Sequence, residues 1–285
     1  MDFTTTALLS KIKLWAAIPT GQPAFSDASL LSLLTDELLM NITPWMMGFR
    51  EEFFVTYSES AITDGGSYNI PMRAVGSVLR EVKRISGTDI CNVRRIEIEE
   101  LDHASDFCFY IQGSKIYLRN STSFTNDTLR LYYHRMPNTL VAESACAKVA
   151  SVAGNVVTCV SVPTAFGTSL SVDVIGGEPP FESRGDDLSV AVSGTDITFS
   201  TLPTVIQEGD WICAAQTSPV AQVPWEVTAM LCQAVVVRVN EILDDQGGLQ
   251  KAVDKYKQME SRMENTLAPR VIGEGRAIVM YDEFL

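Results

Sequence analysis

Histidines, cysteines and two acid-rich stretches are the residues of this chain whose types could do chemistry. His103 and His134 stand in separate strand-like segments. Neither comes with a GxSxG elbow or a cysteine–histidine signature, so a hydrogen-bonded structural role is the stronger reading for both. Cys91, Cys108, Cys146, Cys159, Cys213 and Cys232 form no CxxC pair, and none has a histidine at zinc spacing. Most lie in apolar runs such as TCVSV and AMLCQAV, which suits buried free thiols in a reducing compartment. GEPPFESRGDD, residues 177–187, gathers Glu178, Glu182, Asp186 and Asp187. Its acids lack the alternation of an EF-hand loop, so it reads as a solvated loop tip rather than a calcium site.

The second acidic stretch is DDQGG, residues 244–248. A phosphate cradle would offer backbone N–H groups without carboxylates beside them, and a calcium loop would spread its acids over about twelve residues. Asp244 and Asp245 instead fall at a predicted helix C-terminus, where the helix dipole disfavours them slightly. Gly247 and Gly248 are expected to supply the positive φ that stops the helix, and Asp245 or Gln246 to start the next one. The stretch therefore predicts the bend of an αα-hairpin. GxxxxGK[ST], GxGxxG and HExxH patterns are absent. The residues indicate no catalytic centre, cofactor or metal.

The elements that would position these residues change character along the chain. Leu8, Leu9, Ile12 and Trp15 recur at helical spacing within residues 4–17. Asp27 suits an N-cap, and Leu30, Leu31, Leu34, Leu38 and Ile42 make the apolar stripe of a second helix, with Pro44 expected to mark its end or the start of a further turn that carries Trp45, Met46 and Met47. From about 50 to 142 the period becomes two. EEFFVTYSESAI, SYNIPMRAVGSVLREVKRI, NVRRIEIEEL, FCFYIQGSKIYLRN and TLRLYYHRM read as strands, with Ile96 and Ile98 on one buried face. Residues 145–215 form a second β-rich stretch, a compact antiparallel sheet or small barrel with only Lys148 and Arg184 as basic residues. After Pro224, residues Trp225, Ala229, Cys232, Val236, Val239 and Leu243 return to helical spacing. Leu249, Val253, Tyr256, Met259, Met263 and Leu267 give the last helix its stripe, and Pro269 ends it. The tail RVIGEGRAIVMYDEFL is too short for a core of its own, and its apolar residues favour docking on something.

With 46% apolar and 20% charged residues the composition is that of a globular protein. A net charge of −13 argues against wrapping nucleic acid, which takes Lys and Arg to neutralise phosphates. No apolar run approaches the ~18 residues of a membrane span. MDFTTTALLSKIKLWAAIP, interrupted by Lys11 and Lys13, does not read as a signal peptide.

One segment resembles a known family. EGDWICAAQTSPVAQVPWEVTAMLCQAVVVRVNEILDDQGGLQKAVDKYKQME is similar to the C-terminal half of head-to-tail adaptor (connector) proteins of tailed bacteriophages. There a "GD-aromatic" strand leads through a Pro-containing linker, here SPVAQVP, into a helix, a tight turn and a second helix. The preceding order, N-terminal helices and then strands ending in LRLYYHRMPNTL, resembles that family too. The resemblance implies an α+β fold in which N- and C-terminal helices, residues 1–49 plus 221–268, form a helical bundle. A β-rich region at 50–142, an antiparallel β lobe (sandwich or barrel) at 143–220 and an extended docking tail at 269–285 complete the expected organisation. It further implies a non-enzymatic virion protein, assembled in the host cytoplasm into a homo-oligomeric, dodecameric ring. The ring would sit between the portal protein and a tail or nozzle protein, and DNA would pass through its channel without specific binding. The tail would dock on the portal through Arg270, Arg276, Ile278, Met280, Tyr281 and Phe284. Alternatives are a tail or baseplate component, or a carbohydrate-binding module or hydrolase using the β lobe, whose aromatics are Phe166, Phe181, Phe199 and Trp211.

Overall fold

A computed structural model describes residues 2–18, 22–202 and 205–267. The chain opens with α1 (Thr5–Trp15), which buries Leu8, Leu9 and Ile12. α2 (Asp27–Glu37) is capped by Ser26, whose hydroxyl accepts from the Ser29 N–H, so the cap lies one residue before the expected Asp27. Of the two expectations for Pro44, the start of a further turn carrying Trp45, Met46 and Met47 is the one the structure has. A wide π-helical turn over Leu38–Ile42 carries the chain directly into α3 (Thr43–Arg50), with Pro44 in its first turn, where a missing N–H costs little. The Thr43 hydroxyl donates to the Leu38 carbonyl across the widened turn.

Strands follow. β1 (Val55–Ala61), β2 (Ser67–Asn69), β3 (Ala74–Ser86), β4 (Asp89–Asn92), β5 (Arg94–Arg95), β6 (Cys108–Gln112), β7 (Lys115–Arg119) and β8 (Thr128–Arg135) make two four-stranded sheets. One has the order β1-β8-β3-β4 and the other β2-β7-β6-β5. They share a core that includes Ile62, Val82, Phe109, Ile116, Leu129 and Leu131. β8 alternates strictly, turning Leu129, Leu131, Tyr133 and Arg135 inward. The strand expected through NVRRIEIEEL breaks after Arg95. Ile96 is buried, but Ile98 begins a short 3-10 turn and lies exposed, so the two do not share a face.

The rest of the chain comprises β9 (Thr139–Leu140), β10 (Ala147–Ala153), β11 (Val156–Cys159), β12 (Ser169–Ile175), β13 (Ser183–Ser193), β14 (Asp196–Phe199), β15 (Trp211–Ala214) and β16 (Thr217–Ser218). It ends in α4 (Thr228–Ile242) and α5 (Gln246–Thr266). β10-β11-β14-β13-β12-β15 close into a barrel filled by Val149, Val157, Val172, Val174, Ile197 and Phe199, while β16 pairs parallel with β9. From Ser218 to Pro224 every residue is buried, so the connection from β16 to the helices is packed rather than loose. α4 is buried nearly all round, which keeps its β-branched valines helical. Its expected stripe misses at both ends: Trp225 and Leu243 are exposed.

The expected fold class is overturned. The chain is mostly β, and its helices are a minority. Helices from both ends do meet in one apolar core, with Leu30, Leu34, Leu231 and Val235 at its centre. That core is one of several, because the paired sheets and the barrel each bury their own. The alternating segments are therefore bodies in their own right, not inserts carried by a helical bundle.

The α4–α5 bend also differs in detail. Asp244 carries the positive φ, at 53°, while Gly247 and Gly248 lie inside the first turn of α5. Asp245 is the N-cap, its carboxylate accepting from the Gly248 N–H at 3.0 Å. A Cβ on Gly248 would strike that carboxylate and the side chain of Asn240. Close approach, not left-handed backbone, is what glycine supplies here. Asp245→Ala should then cost about 1 kcal/mol through the lost cap. Asp244→Asn, at an exposed site whose φ Asn also adopts, should change stability by less than ~0.5 kcal/mol. Urea denaturation of the two variants checks the contrast.

Candidate functional site

The strongest concentration of charge in the interior lies where the paired sheets, the barrel and the segment leading into α4 meet. Arg73, in the turn before β3, is buried and directed at the barrel. Its Nη1 donates to Asp173 Oδ2 and its Nη2 to Asp173 Oδ1, both at 2.7 Å, a two-pronged pairing of guanidinium with carboxylate. The same nitrogens reach Asp186 Oδ1 at 3.3 Å and Asp187 Oδ1 at 3.0 Å. Arg135, the last inward residue of β8, donates through Nε and Nη2 to the two oxygens of Asp186 at 2.9 and 2.7 Å. Its Nη1 donates to Gln222 Oε1 in the lead-in to α4. Asn138 ties the set together, accepting from both arginines and donating to Asp173 and to the Thr217 carbonyl.

Local structure explains how charge comes to be here. On β12, Val172 and Val174 fill the barrel, while Asp173 and Ile175 face outward, where the barrel is covered rather than wet. Asp173 is fully buried, and it also accepts the N–H groups of Asp187 and Gln216. β13 carries an extra residue between the partners of Val172 and Val174, and Asp187 has φ 54°. This bulge turns Asp186 and Asp187 toward the arginines. The solvated loop tip expected over residues 177–187 therefore holds only in part: Glu178, Glu182 and Asp187 are exposed, Asp186 is largely enclosed, and Asp186 and Asp187 are bonded to arginine.

Protonation follows from the pairing. Burial works against the charge of Arg73, but the bonds to Asp173 and the nearby Asp186 outweigh it and hold its pKa above the ordinary value. Burial also opposes ionisation of Asp186. The hydrogen bonds and charge of Arg135, with the Ser183 hydroxyl, overcome it and hold that carboxyl below the usual range. The acids of the cluster are answered by guanidinium and amide groups, which makes it a brace. Calcium would have to displace the arginines to bind.

Beside the brace opens a groove of about 570 Å³, with Arg135 and Gln222 at its base. Phe53, Pro180, Phe181 and Trp225 supply apolar walls, and Glu182 and Glu226 stand at its edge. The remaining residues singled out in the sequence do not converge. His103 is exposed, and His134 faces Glu51 from β8 at 3.5 Å. Five cysteines are buried and free while Cys91 is exposed; burial pushes the Cys159 thiol up to about 11 and that of Cys232 to about 12. Phe166, Phe181, Phe199 and Trp211 are all buried, so none offers an open ring to a sugar. Arg270, Arg276, Ile278, Met280, Tyr281 and Phe284 lie outside the described residues. Among the described residues no helix is long and apolar enough to cross a membrane.

Sequence reasoning missed Arg73, Arg135 and Asp173. Two of them left a signal: the period of β8 that buries Leu129, Leu131 and Tyr133 runs on to Arg135, and Asp173 interrupts an otherwise apolar VDVI.

No family model matches the chain, and no curated protein matches it.

Removing the Asp173 charge leaves Arg73 short of its main partner. Asp173→Asn should cost about 3 kcal/mol in urea unfolding. Because the Asp186 pKa is lowered by folding, its contribution is present above the unfolded value of about 3.9 and is lost as pH falls through the folded one. Acid unfolding should therefore steepen below about pH 4, and Asp186→Asn should lower stability at neutral pH and flatten that acid dependence.

Proposed function

We propose that the chain is a structural subunit of a tailed-bacteriophage virion, a head-to-tail adaptor whose copies close into a ring between portal and tail. What carries the reading is the form taken by residues 208–260, the stretch on which the resemblance rests. Gly209 has φ 89°, and Asp210 is fully buried, accepting the N–H groups of Gln207 and Gly177. Trp211 then begins β15, the connection through Ser218–Pro224 is buried, and two helices follow about a tight, capped turn. The GD-aromatic strand belongs to the barrel, and a buried Pro-containing lead-in runs from it to the αα-hairpin of the helical core.

Other features agree with a load-bearing, non-enzymatic role. The arginine–aspartate brace locks three parts of the chain together, as a subunit transmitting force would need. The net charge of −13 lets DNA slide past with little counterion release to gain. Ring subunits meet through two different patches, and their rotation must close. In this proposal the C-terminal residues Arg270, Arg276, Ile278, Met280, Tyr281 and Phe284 dock on the portal.

Electron microscopy of the purified chain mixed with portal protein of the same virus tests it. Rings stacked on the portal are expected; a chain that stays monomeric at every concentration and never binds a portal would overturn the reading. Deletion of residues 271–285 should leave a folded monomer, with a cooperative thermal transition, while abolishing portal binding.

A further inference from the structure

The groove beside Arg135 has the shape and chemistry of a peptide seat. One side is the free edge of β1. In its sheet β1 pairs with β8 only, and among the described residues nothing pairs with its outer edge. Val55 and Thr56, at the start of β1, line the groove. An unpaired strand edge presents a row of N–H and C=O groups that a further strand can complete. Its apolar lining includes Phe53, Pro180 and Trp225, with Trp225 46% exposed despite its size, while Phe181 is buried. Edge and walls together fit an extended segment that hydrogen-bonds along β1 and places apolar side chains against the rings. Among the described residues neither Glu182 nor Glu226 has an ion-pair partner. The rim therefore favours a segment with positive charge.

We infer that this groove is the seat of the chain's own C-terminal segment, residues 268–285, added to β1 as a further strand. Three observations select that occupant. The first is position: Leu267 is buried, and its carbonyl accepts from Arg50 Nε at 3.4 Å, while Arg50 itself lines the groove. The segment thus starts at the rim, and at about 3.3 Å per extended residue it reaches far beyond what the groove requires. The second is charge, since Arg270 and Arg276 are basic residues to set against Glu182 and Glu226 in a chain with strong acidic excess. The third is pattern. Ala277-Ile278-Val279-Met280-Tyr281 is rich in strand-forming residues and apolar at both alternating sets of positions, as a strand enclosed between two walls must be. The inference stands on groove and chain end and does not need the adaptor reading. In an adaptor it would keep the segment stored until the portal offers a better seat.

Disulfide trapping in the full-length chain tests it. Cys91→Ser removes the exposed thiol, and Glu226→Cys is combined with Ile278→Cys. A control chain carries Asp89→Cys with Ile278→Cys, at the end of the β3–β4 hairpin away from Val55. In dilute protein with oxidised glutathione, the groove pair should close a bridge within one chain at least ~10-fold faster than the control pair. Equal rates, or bridges only between chains, overturn the inference. Hydrogen exchange gives an independent reading that needs no new cysteine. The β1 amides that point away from β8 should be protected in the unmodified chain, and Ile278→Asp with Tyr281→Asp should speed their exchange by at least ~10-fold. Exchange that is fast in both chains, or unchanged between them, refutes the docked strand. Either failure would leave ring assembly untouched, so it is distinguishable from failure of the adaptor proposal.

Discussion

A buried ion pair constrains everything around it, and here that pair is Arg73 with Asp173. Neither group can enter the interior without its partner, since an uncompensated buried charge costs several kcal/mol. Asp173 is fully buried and takes hydrogen bonds from the Arg73 guanidinium, the Asn138 amide and two backbone N–H groups. Each of those donors comes from a different stretch of chain. The barrel must therefore meet the sheets in one register, with the β13 bulge in place, or carboxylate and guanidinium are left unpaired. Such clusters often add less to net stability than a well-packed apolar contact would, but they penalise alternative arrangements heavily. Gln222 extends the constraint to the lead-in of α4, so the helices inherit their placement from the same charges.

This arrangement connects fold to function through rigidity. The apolar cores hold the sheets, the barrel and the helices as separate bodies, and the polar brace joins them. At the junction a groove is lined by Phe53, Pro180 and Trp225 together with Arg135 and Gln222 of the brace. Leu267 is buried, and its carbonyl accepts from Arg50, which also lines that groove.

Local periodicity made much of this legible. The stripes of α1 and α2, the alternation of β8, and the half-buried face Leu249–Val253–Tyr256–Met263 of α5 could all be read from residue spacing. What was not legible depends on partners far along the chain. Arg73 and Asp173 are separated by 100 residues, and nothing near either one announces the other. RGDD looks solvated because its neighbours are polar; only the bulge and two distant arginines draw Asp186 inward. The fold class was misjudged for a related reason. Helical segments at both ends suggested a frame, whereas the alternating segments between them close their own cores. At DDQGG the bend and the start of α5 at Asp245 were legible, and the helix stop was not: Asp244 takes the left-handed backbone, and Gly248 yields space to Asp245.

The central claim is that the Arg73–Asp173 pair acts as a unit holding the barrel to the sheets. A double-mutant cycle with Arg73→Met, Asp173→Leu and both together, followed by urea unfolding, tests it most directly. The account predicts that each single change is strongly destabilising, and that the double variant recovers about 2 kcal/mol or more relative to their sum. Single effects that simply add, with a coupling below ~0.5 kcal/mol, would contradict it.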